Sequence, residues 1–132
     1  VATIQPEPLL QQAVVSQPGR DLRVYVLHGR ILAGVMRTAR EGVVSNFKRG
    51  GQVELHTLTP QERALAEAVI LRFRRAGAPL HMAGVDLLYD HGQPVIGEVE
   101  DVVGSRMLYK TSDIDIVSLY LQGLSPLYAK AE

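Results

Sequence analysis

Two stretches of this chain read as pairs of β-strands joined by tight turns, and that pattern constrains the fold more than any other feature. Residues 22–38 alternate in a strand-like way on both sides of a His-Gly-Arg turn at 28–30. Residues 83–99 repeat the arrangement around Asp-His-Gly-Gln at 90–93. Strands that follow each other through short turns pair antiparallel. We therefore expect a mainly antiparallel sheet.

A helix between these strand pairs has well-marked ends. Thr59 is its predicted N-cap, Pro60 occupies the first helical position, and Glu62 reaches back to complete a capping box. Apolar side chains then recur at helical spacing until Gly77 ends the helix.

The remaining elements complete the predicted order of strands and helices. Residues 8–15 and 53–58 have strand character, and a final helix is expected to begin near Ser112 and to end near Gly123. Because the strands come in hairpins and the helices come between and after them, we predict an α+β fold. Its sheet is mainly antiparallel, with the helices on one face.

Composition excludes several classes of protein. The chain has 132 residues, 46% of them apolar, which predicts a single globular domain over residues 1–132. Lys+Arg and Asp+Glu balance at 14 each, so we expect neither a nucleic-acid nor a membrane partner. The absence of Cys fits a reducing compartment, and we predict a cytoplasmic location.

Three carboxylates gather around the end of the second strand pair. Glu98 and Glu100 are two residues apart and share a strand face. An odd number of turn residues would place Asp86 opposite Glu98, whereas an even number would place it opposite Gly97 and facing away. Converging oxygen ligands suit Mg²⁺, usually with phosphate oxygens completing its shell. The alternative is an acidic strand end, Asp101 included, that emerges into solvent.

Five motifs in order resemble an ATP-grasp ligase. They are LLQQAVVSQPGRDLRVYVLHGRILAGVMRTAREG, SNFKRGG, TPQER, AGVDLL and GEVE. From about Leu9 to about Ile116 the chain resembles the C-terminal half of a RimK-like glutamate ligase. The resemblance implies an ATP-dependent enzyme that joins an amine to a carboxylate through an acyl phosphate. It also implies Mg²⁺ or Mn²⁺ as cofactor.

The resemblance assigns nucleotide-binding residues in the first part of the chain. Gln12, in place of the usual Glu, and Ala13 occupy the hinge that binds the adenine edge. Asp21 matches an acid near the ribose, and Arg23 matches an Arg in the acceptor or phosphate region. From the residues alone, Asp21 and Arg23 would form a local salt bridge at the start of a hairpin.

The resemblance also assigns phosphate-binding residues. Arg37 matches the Arg along the triphosphate, where a fixed cationic fork stabilises charge on a transferring phosphoryl group, and it is our predicted catalytic residue. Ser45 and Asn46 match a binding loop, although Val44 stands where the family usually has Arg. The alternative for this loop is a solvated, mobile segment.

The predicted metal ligands match the family pattern. Asp86 corresponds to its first acid, Glu98 to its bridging acid and Glu100 to a position usually held by Asn. The change at Glu100 keeps an oxygen ligand and adds a negative charge.

The resemblance implies partners and a larger protein. The family's N-terminal domain and first grasp subdomain have no counterpart in these motifs, so we expect a fragment of a longer ligase. Its partners would be ATP and small-molecule or peptide carboxylate and amine substrates. We also expect self-association through the apolar strand at 9–15. The alternatives are a non-catalytic nucleotide- or metal-binding module and a structural interaction domain.

Overall fold

A five-stranded antiparallel sheet forms the centre of the structure. The structure is a computed structural model that describes residues 19–39 and 51–128. The strands are β1 (Arg20–Leu27), β2 (Arg30–Thr38), β3 (Gln52–His56), β4 (Met82–Asp90) and β5 (Gln93–Asp101). Their order across the sheet is β3-β2-β1-β4-β5, and every neighbouring pair is antiparallel. Both predicted hairpins are therefore confirmed.

Three helices accompany the sheet: α1 (Pro60–Arg75), α2 (Arg106–Thr111) and α3 (Ile116–Tyr128). Helix α1 begins with the predicted capping box. Thr59 Oγ1 accepts a hydrogen bond from the Glu62 amide at 3.3 Å, and Glu62 Oε2 accepts one from the Thr59 amide at 2.8 Å. None of the helices within 19–39 and 51–128 is both long and apolar enough to span a bilayer.

The helices lie on both faces of the sheet. Leu22, Val24 and Val26 of β1 pack in one apolar cluster with the buried face of α1. Tyr25 and Leu27, which point the other way, pack in a second cluster with buried residues of α2 and the start of α3. The predicted α+β class is confirmed, but the placement of all helices on one face is wrong.

Helix α2 accounts for only part of that difference, because Ile116 at the start of α3 also packs in the second cluster. The six residues of α2 are too few for a helical period to stand out in the sequence, so this helix was not expected. Met107 and Leu108 nevertheless bury their side chains on the face opposite α1. Two adjacent apolar residues carried no signal of which face they would cover.

Helix α3 differs from its prediction at both ends. It starts after Asp115, whose carboxylate accepts hydrogen bonds from the Ser118 amide at 3.1 Å and hydroxyl at 2.6 Å. It continues past Gly123, the expected stop. Gly123 serves packing instead, because a Cβ there would collide with the imidazole of His28. That imidazole stacks on Tyr120 and donates from Nε2 to its carbonyl at 3.1 Å.

The register between β4 and β5 changes once along the hairpin. Its turn has two residues, His91 and Gly92, both with positive φ. This even turn would by itself place Asp86 opposite Gly97. A β-bulge intervenes, and Asp86 pairs with Glu98 instead. The turn thus has the even length considered from the sequence, but Asp86 faces Glu98, the pairing expected for an odd turn.

The predicted strand at 8–15 and the binding loop around 45–46 lie outside the residues that the structure describes. The expected self-association through residues 9–15 falls on the same part of the chain and stays a prediction.

Candidate functional site

Charged side chains collect on the sheet face opposite α1, beyond the part that α2 covers. Cross-strand pairing aligns them, with Asp21 opposite Arg37, Arg23 opposite Asp86, and Asp86 opposite Glu98. We call this set the ion-pair network. Its members are Asp21, Arg23, Arg37, Asp86, Glu98 and Glu100.

Arg23 lies at the centre of the ion-pair network. Its Nε and Nη2 donate to the two oxygens of Asp86, each at 2.7 Å, which is a bidentate pair. Its Nη1 lies 2.5 Å from Glu100 Oε2, an ion pair without hydrogen-bond geometry, and Nη2 lies 3.7 Å from Glu98 Oε1. All three guanidinium nitrogens therefore face carboxylates.

Gly84 makes room for this arrangement. It is buried on β4, and a Cβ there would lie 2.7 Å from Val103 Cγ2 and 3.4 Å from both Cδ and Nε of Arg23. The Arg23 side chain can extend across β4 because Gly84 has no side chain of its own.

Arg37 is engaged differently. Its Nη2 contacts Asp21 Oδ2, and the same nitrogen donates to Asp86 Oδ2 at 2.5 Å. Its Nε is buried and has no hydrogen-bond partner among the residues that the structure describes. Arg37 therefore keeps a donor that the described part of the network does not satisfy, in contrast to Arg23.

The charges in this network stabilise one another. Burial alone would raise the pKa of Asp86, but the hydrogen bond from Arg23 and the nearby Arg37 outweigh it, so the pKa is lowered. Burial would likewise lower the pKa of Arg23, and its contacts with Asp86 and Glu100 raise it instead. Asp86 is thus a buried, charged carboxylate held by two arginines.

The network presents its remaining oxygens on β5. The side chains of Glu98 and Glu100 are 66% and 41% exposed, whereas that of Asp86 is 4% exposed. Over the described ranges, no three His, Asp or Glu side chains come together closely enough to hold a metal ion. Two carboxylates completed by phosphate oxygens are a common Mg²⁺ ligand set. Glu98 and Glu100 fit that chemistry, whereas the oxygens of Asp86 are already occupied by arginines.

The predicted site residues thus separate into two groups. Asp21, Arg23 and Arg37 come together with the three predicted metal ligands. The hinge residues Gln12 and Ala13, and the loop residues Ser45 and Asn46, lie outside the described residues. The sequence has no cation on β4 or β5, and the structure supplies two from other strands, Arg23 from β1 and Arg37 from β2. The only sequence signal for this contact was the strand alternation that places Arg23 of β1 and Arg37 of β2 on one face of the sheet.

A second polar cluster lies under α1, on the other face of the sheet. Glu62, 4% exposed, accepts hydrogen bonds from Tyr89 Oη at 2.7 Å and His56 Nε2 at 2.9 Å, in addition to its capping bond from Thr59. Burial would raise the pKa of Glu62, but these bonds outweigh it and lower that pKa. The cluster joins the start of α1 to β3 and β4, a role that the capping-box motif alone did not predict.

Comparisons with known proteins agree with this architecture. The model of the RimK-like ATP-grasp domain matches residues 2–122. A probable alpha-L-glutamate ligase of Thioalkalivibrio sulfidiphilus is 38% identical over 82% of this chain, and a ribosomal protein bS6–L-glutamate ligase of Escherichia coli is 36% identical over 83%. The chain spans about a third of each relative, 35% of its length.

Solved structures show the same fold. The ATP-grasp ligase PsnB, complexed with a phosphomimetic variant of its minimal precursor, Mg and ADP, superposes with a TM-score of 0.59. That alignment covers 81% of this chain and 33% of PsnB, at 15% identity. At this identity the likeness concerns the fold alone. The family match over residues 2–122, with relatives above 30% identity, is the decisive observation: this chain belongs to the RimK-like ATP-grasp family.

Proposed function

We propose that this chain is the phosphate- and metal-binding part of an ATP-dependent carboxylate–amine ligase. In the whole enzyme, a substrate carboxylate attacks the γ-phosphorus of ATP, which forms an acyl phosphate and releases ADP. An amine then attacks the acyl carbon and releases phosphate. The glutamate ligases among the relatives support this chemistry, and the chain's one-third share of their length leaves the remaining parts of the site to other segments.

The contrast between Arg23 and Arg37 carries the proposal. Arg23 directs all of its nitrogens toward carboxylates, so it acts as a fixed counter-ion within the protein. Arg37 uses Nη2 for both of its acidic partners and keeps a buried Nε without a partner in the described part of the chain. A phosphate oxygen is the acceptor that a guanidinium fork suits best. Arg37 is therefore the residue that we assign to the triphosphate.

Glu98 and Glu100 would hold Mg²⁺ or Mn²⁺ together with phosphate oxygens. A metal ion there would neutralise charge that develops on the transferring phosphoryl group. Asp86, which the family pattern places in the same metal set, holds Arg23 and Arg37 beside these glutamates. The Mg and ADP complex of PsnB supports this choice of cofactor.

The other parts of the proposed site extend beyond the described residues. Gln12 and Ala13 would contact the adenine edge, and Ser45 and Asn46 would lie near the phosphates. The substrates would be a small-molecule or peptide carboxylate and an amine. The glutamate ligation named for the Escherichia coli relative supports glutamate as one substrate and a protein as the other. We further propose that the 132 residues are one structural unit of a longer, cytoplasmic ligase.

The test is ADP release by the full-length protein with Mg-ATP, glutamate and candidate peptide substrates. We expect sustained ADP release, over many turnovers, only when both the carboxylate and the amine substrate are present. Arg37→Ala should lower kcat and kcat/KM together, as expected for an interaction made mainly in the transition state. Arg30→Ala is the matched control, because Arg30 is an exposed arginine at the start of the same strand.

Two results would contradict the proposal. ADP release that needs neither substrate would mean simple ATP hydrolysis. Nucleotide binding without any release would indicate the non-catalytic module. An effect of Arg37→Ala on KM alone would restrict Arg37 to binding of the ground state.

A further inference from the structure

Asp21 is buried against Arg37 and not open to a ligand. Its side chain is 5% exposed, and it lies opposite Arg37 in the β1–β2 register. Its Oδ2 contacts Nη2 of Arg37, the same nitrogen that donates to Asp86. The guanidinium of Arg37 is thus shared between carboxylates from two different strands.

This placement does not suit the ribose contact that family resemblance implied for Asp21. A ribose hydroxyl would have to replace the guanidinium of Arg37 to reach Oδ2. Such a replacement would exchange a charge-assisted contact for a neutral one and would separate a buried carboxylate from the arginine beside it.

Sharing has two opposite consequences for an incoming phosphate. The carboxylates compete with the phosphate for the same guanidinium, which weakens binding of the anion in the ground state. They also hold the guanidinium in one position, and a fixed donor stabilises a transition state better than a mobile one. A residue that does both should change anion affinity and turnover in opposite directions when it is removed.

We propose that Asp21 is a positioning residue that restrains Arg37 for phosphoryl transfer and does not contact the nucleotide. The proposal rests on the phosphate role assigned to Arg37 above. Asp21 is then not a nucleotide-binding residue; it determines where the guanidinium of Arg37 is held.

The binding experiment separates the ribose from the phosphates. Inorganic tripolyphosphate and adenosine are titrated separately into the full-length protein, without divalent metal, by calorimetry. Asp21→Asn should tighten tripolyphosphate binding about tenfold, or about 1.4 kcal/mol, and leave adenosine binding unchanged. Asp90→Asn is the charge control. Asp90 is an exposed carboxylate on the same face of β4 as Asp86, it lies beside His91, and its removal should change tripolyphosphate binding less than twofold.

An Arg37→Gln background tests whether Asp21 acts through Arg37. Arg37→Gln alone should weaken tripolyphosphate binding, and adding Asp21→Asn should then have no further tightening effect. In turnover, Asp21→Asn should lower kcat by roughly a hundredfold while KM for ATP does not rise. Asp21→Glu keeps the charge but shifts the carboxylate, so it should lower kcat without tightening tripolyphosphate, even if Asp21→Asn folds poorly.

Each contrary result has its own meaning. Weaker adenosine binding in Asp21→Asn would establish a ribose contact and overturn the positioning role. If Asp90→Asn tightened tripolyphosphate binding as much as Asp21→Asn, the effect would come from overall charge and the positioning role would be overturned. An unchanged kcat in Asp21→Glu would also overturn that role. If Arg37→Gln weakens tripolyphosphate binding but Asp21→Asn does not tighten it, the function stands and only this inference fails. If Arg37→Gln binds tripolyphosphate normally, both fail.

Discussion

Asp86 and Glu98 lie directly opposite each other on β4 and β5 because Gly97 is an extra residue on β5. Between the turn and the bulge, the pairing continues as far as Leu87 and Ile96. Beyond the bulge every β5 residue is displaced by one position, which turns Glu98 and Glu100 to the face of Arg23. Without the bulge, both glutamates would point toward α1.

Gly97→Ala tests the bulge. A Cβ at Gly97 would lie 3.1 Å from Leu88 Cγ and 3.2 Å from the Asp86 carbonyl oxygen, so both neighbours would have to move. We expect a loss of about 1–2 kcal/mol in the free energy of unfolding, measured in urea. Gly104→Ala is the control, because its added Cβ would meet nothing within 4 Å. Similar losses in the two variants would mean that the bulge is not what Gly97 supports.

Asp86→Asn and Glu98→Gln should affect stability very differently. Removing the charge of Asp86 leaves two arginines beside a buried, neutral group, at a cost of about 3 kcal/mol. Glu98 is largely exposed and 3.7 Å from Arg23, so its change should stay within about 0.5 kcal/mol. Although Glu98→Gln should hardly change folding stability, it should abolish turnover in the full-length enzyme. An active Glu98→Gln enzyme would exclude Glu98 as a metal ligand.

Acid should destabilise the protein partly through Glu62. Its pKa is lowered in the folded state, so its contribution is fully present above the unfolded pKa, about 4.3. That contribution is lost as pH falls through the lower folded value. The lowered pKa of Asp86 acts in the same direction. Glu62→Gln should therefore make the urea midpoint less dependent on pH below about 4.5. If the urea midpoint of Glu62→Gln fell with pH as steeply as that of the unchanged protein, Glu62 would not be a source of the acid sensitivity.

Gly123 and His28 should be coupled. Glycine to alanine within a helix ordinarily stabilises it by up to about 1 kcal/mol. Here the added Cβ would collide with the His28 imidazole, so Gly123→Ala should destabilise by about 1–3 kcal/mol. His28→Gly removes the imidazole from a position with positive φ, and in that background Gly123→Ala should no longer be harmful. Additive losses in the double variant would contradict the contact.

Local signals in the sequence determined the parts of the fold that depend on near neighbours. The capping box of α1 needs only Thr59 and Glu62, and both hairpins follow from alternation across a short turn. The acidic motif also identified Asp86, Glu98 and Glu100 as a group before their pairing was known. The capping box joins residues three positions apart, and the hairpins repeat with a period that can be read directly.

Tertiary structure decided the rest, because it depends on pairing between distant residues. Whether Asp86 faces Glu98 depended on one bulged residue, which turn length cannot reveal. The side of the sheet that α2 covers was fixed by how Met107 and Leu108 pack against it. The partners of Asp86 came from β1 and β2, more than 45 positions away in sequence. Cross-strand register brought these charges together, and burial then made their pairing obligatory, since a buried charge without a partner is too costly to retain.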